Sequence, residues 1–291
     1  MKLLVFGGSG QLGLEILPRA RDLNFEVAAP VTAEVDVSDY EQIKYLIKKL
    51  EPNCIINCAA YTNVDLAETE KDFAYKVNEQ GPYSIARVIK ETDIRLIHIS
   101  TDYVFDGSLN RPLTENDKTN PINIYGQSKL AGEQAILNVC PEKSLIVRTS
   151  SLHGQYRNNF VKTMLKLFQE KEEISVVSDQ FVTVTWAGWL AEIVLDLIRV
   201  EDNGIVNASG KGVLSWFDFA KKIFELAVNN NPKINKNLKI LPVSYLDFKR
   251  PAKRPSFSAL DCSKLESLIG REAITWEEGL KIHLEQVSFG V

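Results

Sequence analysis

The stretch that most limits what this chain can become is its beginning, "MKLLVFGGSGQLGLEILPRA". A short apolar run ends in Gly7, passes through Gly10 and Gly13, and continues with helical spacing, which predicts a strand, a tight turn and a helix. In such a turn Gly7 permits the bend, Gly10 lets the backbone approach a pyrophosphate, and Gly13 lets the helix pack closely on the strand. The helix N-terminus then presents backbone N–H groups to the phosphates, so the turn is a candidate dinucleotide site.

The rest of the chain alternates. Apolar runs at 25–29, 54–58, 95–100, 144–150, 174–177 and 204–209 are separated by helical stretches around 39–50, 72–91, 125–138, 157–170 and 186–200. Continuous apolar strands with helices between them predict a doubly wound parallel sheet covered on both faces, a Rossmann-type α/β fold. Composition shifts after about residue 209, where a helix near 215–228 precedes the polar "NNNPKINKN" and the basic "FKRPAKRP". The expected division is a dinucleotide-binding domain at 1–155, completed by about 181–208, and a smaller substrate-binding lobe from 156–180 and 209–291.

Composition excludes several classes. A net charge of −4 on 291 residues leaves no polybasic surface for nucleic acid. Cys54, Cys58, Cys140 and Cys262 form no Cys-x-x-Cys pair, and with three scattered histidines they offer no zinc spacing. Reduced thiols point to the cytoplasm, and no apolar run is long enough to span a membrane.

The chemistry centres on "YGQSKLAGE". Tyr125 and Lys129 are four residues apart, on one face of a helix. The preceding strand ends in "HISTDYVFDG", which places Ser100, Thr101 and Asp102 at its carboxyl end. A hydroxyl, a phenol and an ammonium would then converge beside the dinucleotide turn, with Lys129 expected to lower the Tyr125 pKa toward neutrality.

With "GGSGQLG", "INCAAYTNVDLAE", "VNEQG", "ISTDYVFDG", "YGQSKLAGE" and "RPAKRPSFSALDCSKL" in order, the chain resembles the extended short-chain dehydrogenase/reductases, and within them the dTDP-4-dehydrorhamnose reductases. The resemblance implies that Thr101 binds the substrate carbonyl oxygen, Tyr125 donates the proton, and Lys129 binds the nicotinamide ribose and tunes Tyr125. It implies that Gly7, Gly10, Gln11 and Leu12 hold the pyrophosphate, with Gly13 and Ser100 alongside. Asp36 and Val37 flank the adenine, Ala59, Ala60 and Tyr61 line the ribose and nicotinamide side, and Asn78 is structural. Asp102 and Tyr103 are expected beside the substrate, and Arg250 and Arg254 within reach of its diphosphate.

Two departures bear on the substrate. "RTSSLHG" puts Ser151 and His153 where the family has Trp and Tyr, and "DQFVTVT" puts Val182 and Val184 where it has Gly and Pro. His153 is read either as a replacement polar contact or as a surface residue in a turn. Trp186, Trp189 and Trp216 are read as core, and Cys58 as a small buried hydrophobe.

The coenzyme expected is NADPH, with NADH possible, because "EVAAPVTAEVD" has no acid at the end of the second strand. Family members that carry Mg²⁺ at a dimer contact draw attention to Glu277, Glu278 and Glu285, although the sequence itself supplies no metal site. The partner is a nucleotide sugar, and the chain a monomer or homodimer. Three functions stay open: reduction of dTDP-4-dehydro-6-deoxy-L-mannose to dTDP-L-rhamnose, reduction of another nucleotide-linked 4-keto sugar, and a non-catalytic NADP-binding regulatory subunit resembling the methionine adenosyltransferase beta subunit.

Overall fold

The structure, a computed structural model, describes residues 1–229 and 231–287. Its elements in chain order are β1 (Lys2–Phe6), α1 (Gln11–Asp22), β2 (Glu26–Ala28), α2 (Tyr40–Leu50), β3 (Cys54–Asn57), α3 (Val64–Ala67), α4 (Lys71–Tyr75), α5 (Gly81–Ile89), β4 (Arg95–Thr101), α6 (Ile124–Val139) and β5 (Ser144–Thr149). They continue with β6 (Leu152–His153), α7 (Phe160–Glu170), β7 (Glu173–Val177), β8 (Phe181–Val182), β9 (Thr185–Trp186), α8 (Ala187–Leu197), β10 (Gly204–Asn207), β11 (Leu214–Ser215), α9 (Trp216–Ala227), β12 (Lys239–Val243), α10 (Ser263–Ile269) and α11 (Trp276–Gln286).

Six strands form one parallel sheet in the order β2-β1-β3-β4-β5-β10. Alternate residues feed opposite faces, as the two-residue period of a strand requires. Leu3, Val5, Ile56, Ile97 and Val147 pack with Ile16 of α1 and Leu190 and Val194 of α8. Leu4, Phe6, Ile55, Leu96 and Ile146 pack with Ile43 of α2, Ile85 of α5 and Ile136 of α6. Both faces are covered, which is why these strands read as unbroken apolar runs. After β1 the chain turns to β2 on one side and later to β3 on the other, so the carboxyl ends of β1 and β3 flank a topological switch point, where open α/β sheets bind ligands.

Two expectations need correction. The run at 174–177 does not join the main sheet; as β7 it pairs with β12 in a separate two-stranded sheet. The reason is in its alternation, because Ile174 and Val176 are buried while Glu173 and Ser175 are exposed, the pattern of a strand covered on one face. The helix expected at 72–91 is interrupted by a π-helical turn at Lys76–Gln80. That turn carries buried Asn78, whose Oδ1 accepts from Tyr61 N at 2.8 Å while its Nδ2 donates to Tyr61 O and Ser128 Oγ, both at 3.0 Å. The bulge thus ties the loop after β3 to α6.

A second core gathers α7, α9, β7, β12 and α11 around Met164, Phe168, Ile174, Phe219, Ile223 and Leu280. Val182 and Val184, at the family's Gly and Pro positions, are buried in it. Cys262, Leu265 and Ala273, in and around α10, instead belong to the sheet's core.

Candidate active site

The turn between β1 and α1 is held by Gly10 N donating to Gly7 O at 2.9 Å. Gly7 has φ +75°, and a Cβ there would lie 2.5 Å from Ala59 N, so only glycine fits. A Cβ on Gly13 would strike Gly7 O and sit 2.6 Å from Gly8 Cα, which keeps α1 close against the strand. Gly10, the N-cap of α1, brings no side-chain cap, and the first turn holds no acid. Its amides therefore face a cavity with their partial positive charge uncompensated, as an anion site requires.

That cavity, about 520 Å³, is lined by Gly7, Gly10, Gln11, Leu12 and Gly13 from the turn, by Cys58, Ala60 and Thr62 from the end of β3, and by Ser100, Thr101 and Asp102 from the end of β4. Tyr125 and Lys129 from α6, with Ser151, Arg157 and Asn158 after β5, complete it. The sequence thus identified the turn, Ala60, the β4 terminus, the helical pair and Ser151, and the fold brings them into one volume. Asp36, Val37, Ala59 and Tyr61 lie outside the lining. Asp36 is engaged by Lys76 at 2.9 Å and by Ser38, Val37 is a core side chain, and the Tyr61 hydroxyl donates to Glu70 at 2.7 Å.

α6 starts where Asn123 accepts from Gly126 N at 2.8 Å, a side-chain cap that fixes Tyr125 and Lys129 at its first turns. Lys129 is buried, and its Nζ donates to Ile99 O at 2.7 Å and lies 3.3 Å from His98 Nε2. Burial pushes it down to about 8 against the pull of Glu133. The lowering expected for Tyr125 is not seen: burial pushes the phenol up to about 12, opposed by a hydrogen bond with Thr101 and reinforced by Asp102. Asp102 accepts from Thr101 Oγ1 at 3.1 Å and Ser150 Oγ at 3.0 Å, and burial pushes its carboxyl up to about 6. Behind these groups, Glu133 accepts from Ser100 Oγ at 2.5 Å and from Arg148 Nη2 at 2.6 Å, a fully buried network. Cys58, expected to be buried, is only half-buried at the cavity wall, and desolvation pushes its thiol up to about 12, which disfavours the thiolate.

His153 needs correction. It lines neither the first cavity nor the one that Trp216 borders, and it is no surface residue: 1% exposed, it packs on Phe219, and its Nδ1 lies 3.1 Å from Nδ1 of His283 on α11. Trp186 and Trp189 are core as expected. Trp216, although packed on the second core, also borders a second cavity of about 340 Å³ with Tyr103, Phe160, Tyr245, Phe248, Arg250 and Arg254. Tyr103 meets Tyr125 edge to face with ring centroids 5.8 Å apart, so the two cavities adjoin at this pair. Arg254 and Arg250 both reach Asp65, and two guanidinium charges against one carboxylate leave the second cavity positive.

Sequence reasoning missed Arg157, Asp65 and His98. Arg157 donates to Ser9 O at 2.8 Å, which sets a cation over the glycine turn, and its place just after β5 at the sheet's carboxyl edge was the available signal. Among the described residues no group of three or more His, Cys, Asp or Glu is placed to hold a metal ion; Glu278 is engaged in a capping box with Thr275. No helix among them is long and apolar enough to cross a membrane.

The family model described as the RmlD substrate binding domain matches residues 1–289. A dTDP-4-dehydrorhamnose reductase of Aggregatibacter actinomycetemcomitans is 37% identical, covering 96% of this chain and 97% of its own. The chain belongs to the dTDP-4-dehydrorhamnose reductase family. A dTDP-4-keto-6-deoxy-D-glucose reductase of Streptomyces niveus is 39% identical over 77% of each chain. The crystal structure of dTDP-4-dehydrorhamnose reductase from Bacillus anthracis in complex with NADP superposes with a TM-score of 0.91 at 38% identity, covering 98% of this chain and 99% of that one. These relatives are reductases, which favours the enzymatic reading over the regulatory one.

Proposed function

We propose that this protein reduces the 4-keto group of dTDP-4-dehydro-6-deoxy-L-mannose, giving dTDP-L-rhamnose, with NADPH as coenzyme. The observation that carries the reading is the single cavity shared by the glycine turn, Thr101, Tyr125 and Lys129.

The residues fit a dinucleotide. The uncapped α1 amides and Arg157 would meet its pyrophosphate. β2 ends in Ala28, with Ala29 and Pro30 following, so no carboxylate there opposes a 2′-phosphate, which favours NADPH over NADH. When bound, the coenzyme supplies the hydride. Thr101 would hold the carbonyl oxygen, and Tyr125, fully protonated at neutral pH with its pKa near 12, would give that oxygen its proton. Lys129 in its ammonium form would stabilise the phenolate left behind.

The second cavity suits the rest of a nucleotide sugar. Trp216, Phe160 and Tyr103 offer flat apolar faces for a base, and Arg250 and Arg254 offer charge for a diphosphate. We propose that the sheet with α1–α6, α8 and α10 forms the dinucleotide part, and that α7, α9, β7, β12 and α11 form the substrate lobe. The four free cysteines favour a reducing, cytoplasmic setting.

A second reading, reduction of a different dTDP-linked 4-keto sugar, is favoured by Ser151, which leaves the cavity without the family's Trp platform. NADPH absorbance followed on adding each candidate sugar decides between them. Fastest oxidation with dTDP-4-dehydro-6-deoxy-L-mannose supports the first reading, and faster oxidation with the D-glucose-series keto sugar supports the second. Oxidation with neither overturns both.

A further inference from the structure

Gln180, in the short connection between β7 and β8, is 4% exposed and lines the second cavity. Its Nε2 is buried and has no hydrogen-bond partner among the described residues. A carboxamide nitrogen can only donate, and folded chains seldom keep a buried donor without an acceptor, because the lost bond to water is not replaced. In a cavity wall such a donor has a use: a bound molecule supplies the acceptor. The amide turns about a broad terminal torsion, so Nε2 can meet a ligand in the cavity without any change of backbone.

The neighbours of Gln180 show which part of a ligand it meets. Asp179 accepts from Ser244 Oγ at 2.6 Å and from Tyr245 N at 2.8 Å, and Phe181 N donates to Ser256 O at 2.8 Å. Gln180 is thereby held between Tyr245 and Ser256, and Arg254 belongs to the same stretch, its N donating to the Tyr245 hydroxyl at 3.2 Å. The Arg254 side chain bonds Asp65, which lies three residues past Thr62 of the first cavity's lining. Gln180 therefore stands at the end of the second cavity that faces the first. Two guanidinium groups share one carboxylate there, so the acceptor that best suits this place is an anionic oxygen.

We propose that Gln180 is a specificity-determining residue for the nucleotide sugar, its Nε2 donating to an oxygen of the sugar-bearing phosphate beside Arg254. The assignment rests on the function proposed above, which puts the keto sugar in the first cavity and the diphosphate in the second. A nucleoside diphosphate then satisfies the amide, whereas a nucleoside monophosphate stops short and leaves it empty. A site with a buried donor of this kind discriminates against the analogue that lacks the acceptor.

The test is calorimetric titration with dTDP and with dTMP, in excess NADPH so that neither nucleotide enters the first cavity. Gln180→Met keeps the unbranched shape and removes the donor. Its dTDP affinity should fall roughly tenfold or more, the loss of a hydrogen bond to a charged group, while its dTMP affinity stays within about twofold of wild type. Without nucleotide it should melt at or above the wild-type temperature, because a buried donor without a partner is gone. Unchanged dTDP affinity overturns the proposal, as does an equal loss of both nucleotides, which would place Gln180 at the nucleoside or in the scaffold. Gln180→Glu puts an acceptor oxygen in place of Nε2 and should lose dTDP at least as strongly; a Glu variant that binds dTDP as wild type does overturns the proposal, and it decides alone if the Met variant does not fold. A wild-type protein that separates dTDP from dTMP through Gln180 but reduces no sugar keeps this assignment and overturns the proposed function, whereas one that binds no dTDP overturns both.

Discussion

Arg254 grips Asp65 through two parallel bonds, Nη1 to Oδ1 and Nη2 to Oδ2, each 3.0 Å long. Asp65 lies on α3 and Arg254 between β12 and α10, so the pair ties together segments 189 residues apart at the wall of the second cavity. Arg250 approaches the same carboxylate at 3.4 Å. Replacing Arg254 with Leu removes a charge that the proposed function assigns to a diphosphate, and a hydrogen bond to a charged group contributes about 1.5–3 kcal/mol. Affinity for dTDP should fall roughly tenfold to a hundredfold by calorimetry, with NADPH affinity unchanged. Loss of both affinities would place Arg254 in the scaffold instead.

Asp102 gives a pH signature. Its folded-state pKa of about 6 lies above the ordinary 3.8, so between those values the folded chain holds a proton that the unfolded chain has released. Its contribution to stability is thus fully present below pH 3.8 and is lost as pH rises through 6. Asp102→Asn removes that dependence and should be more stable than wild type at pH 7.5 by up to about 3 kcal/mol. Urea melts at pH 7.5 and pH 5 check this; an equal difference at both would remove Asp102 as its source.

The glycines of the first turn should separate folding from binding. A Cβ on Gly10 meets only Gly7 O, at 3.2 Å, whereas one on Gly13 is driven into backbone. Gly10→Val should keep a melting temperature near wild type and lose NADPH binding by fluorescence titration. Gly13→Val should lose the fold. Unchanged coenzyme affinity in the Gly10 variant would remove the coenzyme from this turn.

Ser151 offers the substrate test. It lines the first cavity with φ +47°. Ser151→Trp should tighten a deoxysugar nucleotide by roughly 0.5–1.5 kcal/mol if stacking is recovered. Weaker binding, read by competition with dTDP, would mean that the pocket has been reshaped for a different sugar.

What was legible in the sequence was what depends on neighbours along the chain. The glycine spacing from Gly7 to Gly13, the Tyr125 and Lys129 pair, and the unbroken apolar runs all express local rules, and together they place the cavity. The alternation of Glu173–Val177 carried the information that β7 lies apart, but four apolar or small residues in a row masked it. His153 could not be read, because the partner that buries it, His283, is 130 residues away. Lys129 misled for a related reason. Helical spacing puts it near Tyr125 and the end of β4, but its Nζ is drawn to Ile99 O and His98 further back in that strand, a depth that spacing along the chain does not specify. Asp65 and Arg254, 189 residues apart, left no local sign at all.

The central claim is that Tyr125 protonates the oxygen of a 4-keto sugar as hydride reaches its carbon. Single-turnover oxidation of bound NADPH by dTDP-4-dehydro-6-deoxy-L-mannose, compared between wild type and Tyr125→Phe, measures that step. General acid catalysis contributes about 10²–10⁴-fold, so the variant should lose at least about a hundredfold in rate while binding NADPH as wild type does. A Tyr125→Phe protein that oxidises NADPH within about threefold of the wild-type rate would contradict the account, because a loss that small is far below what general acid catalysis contributes.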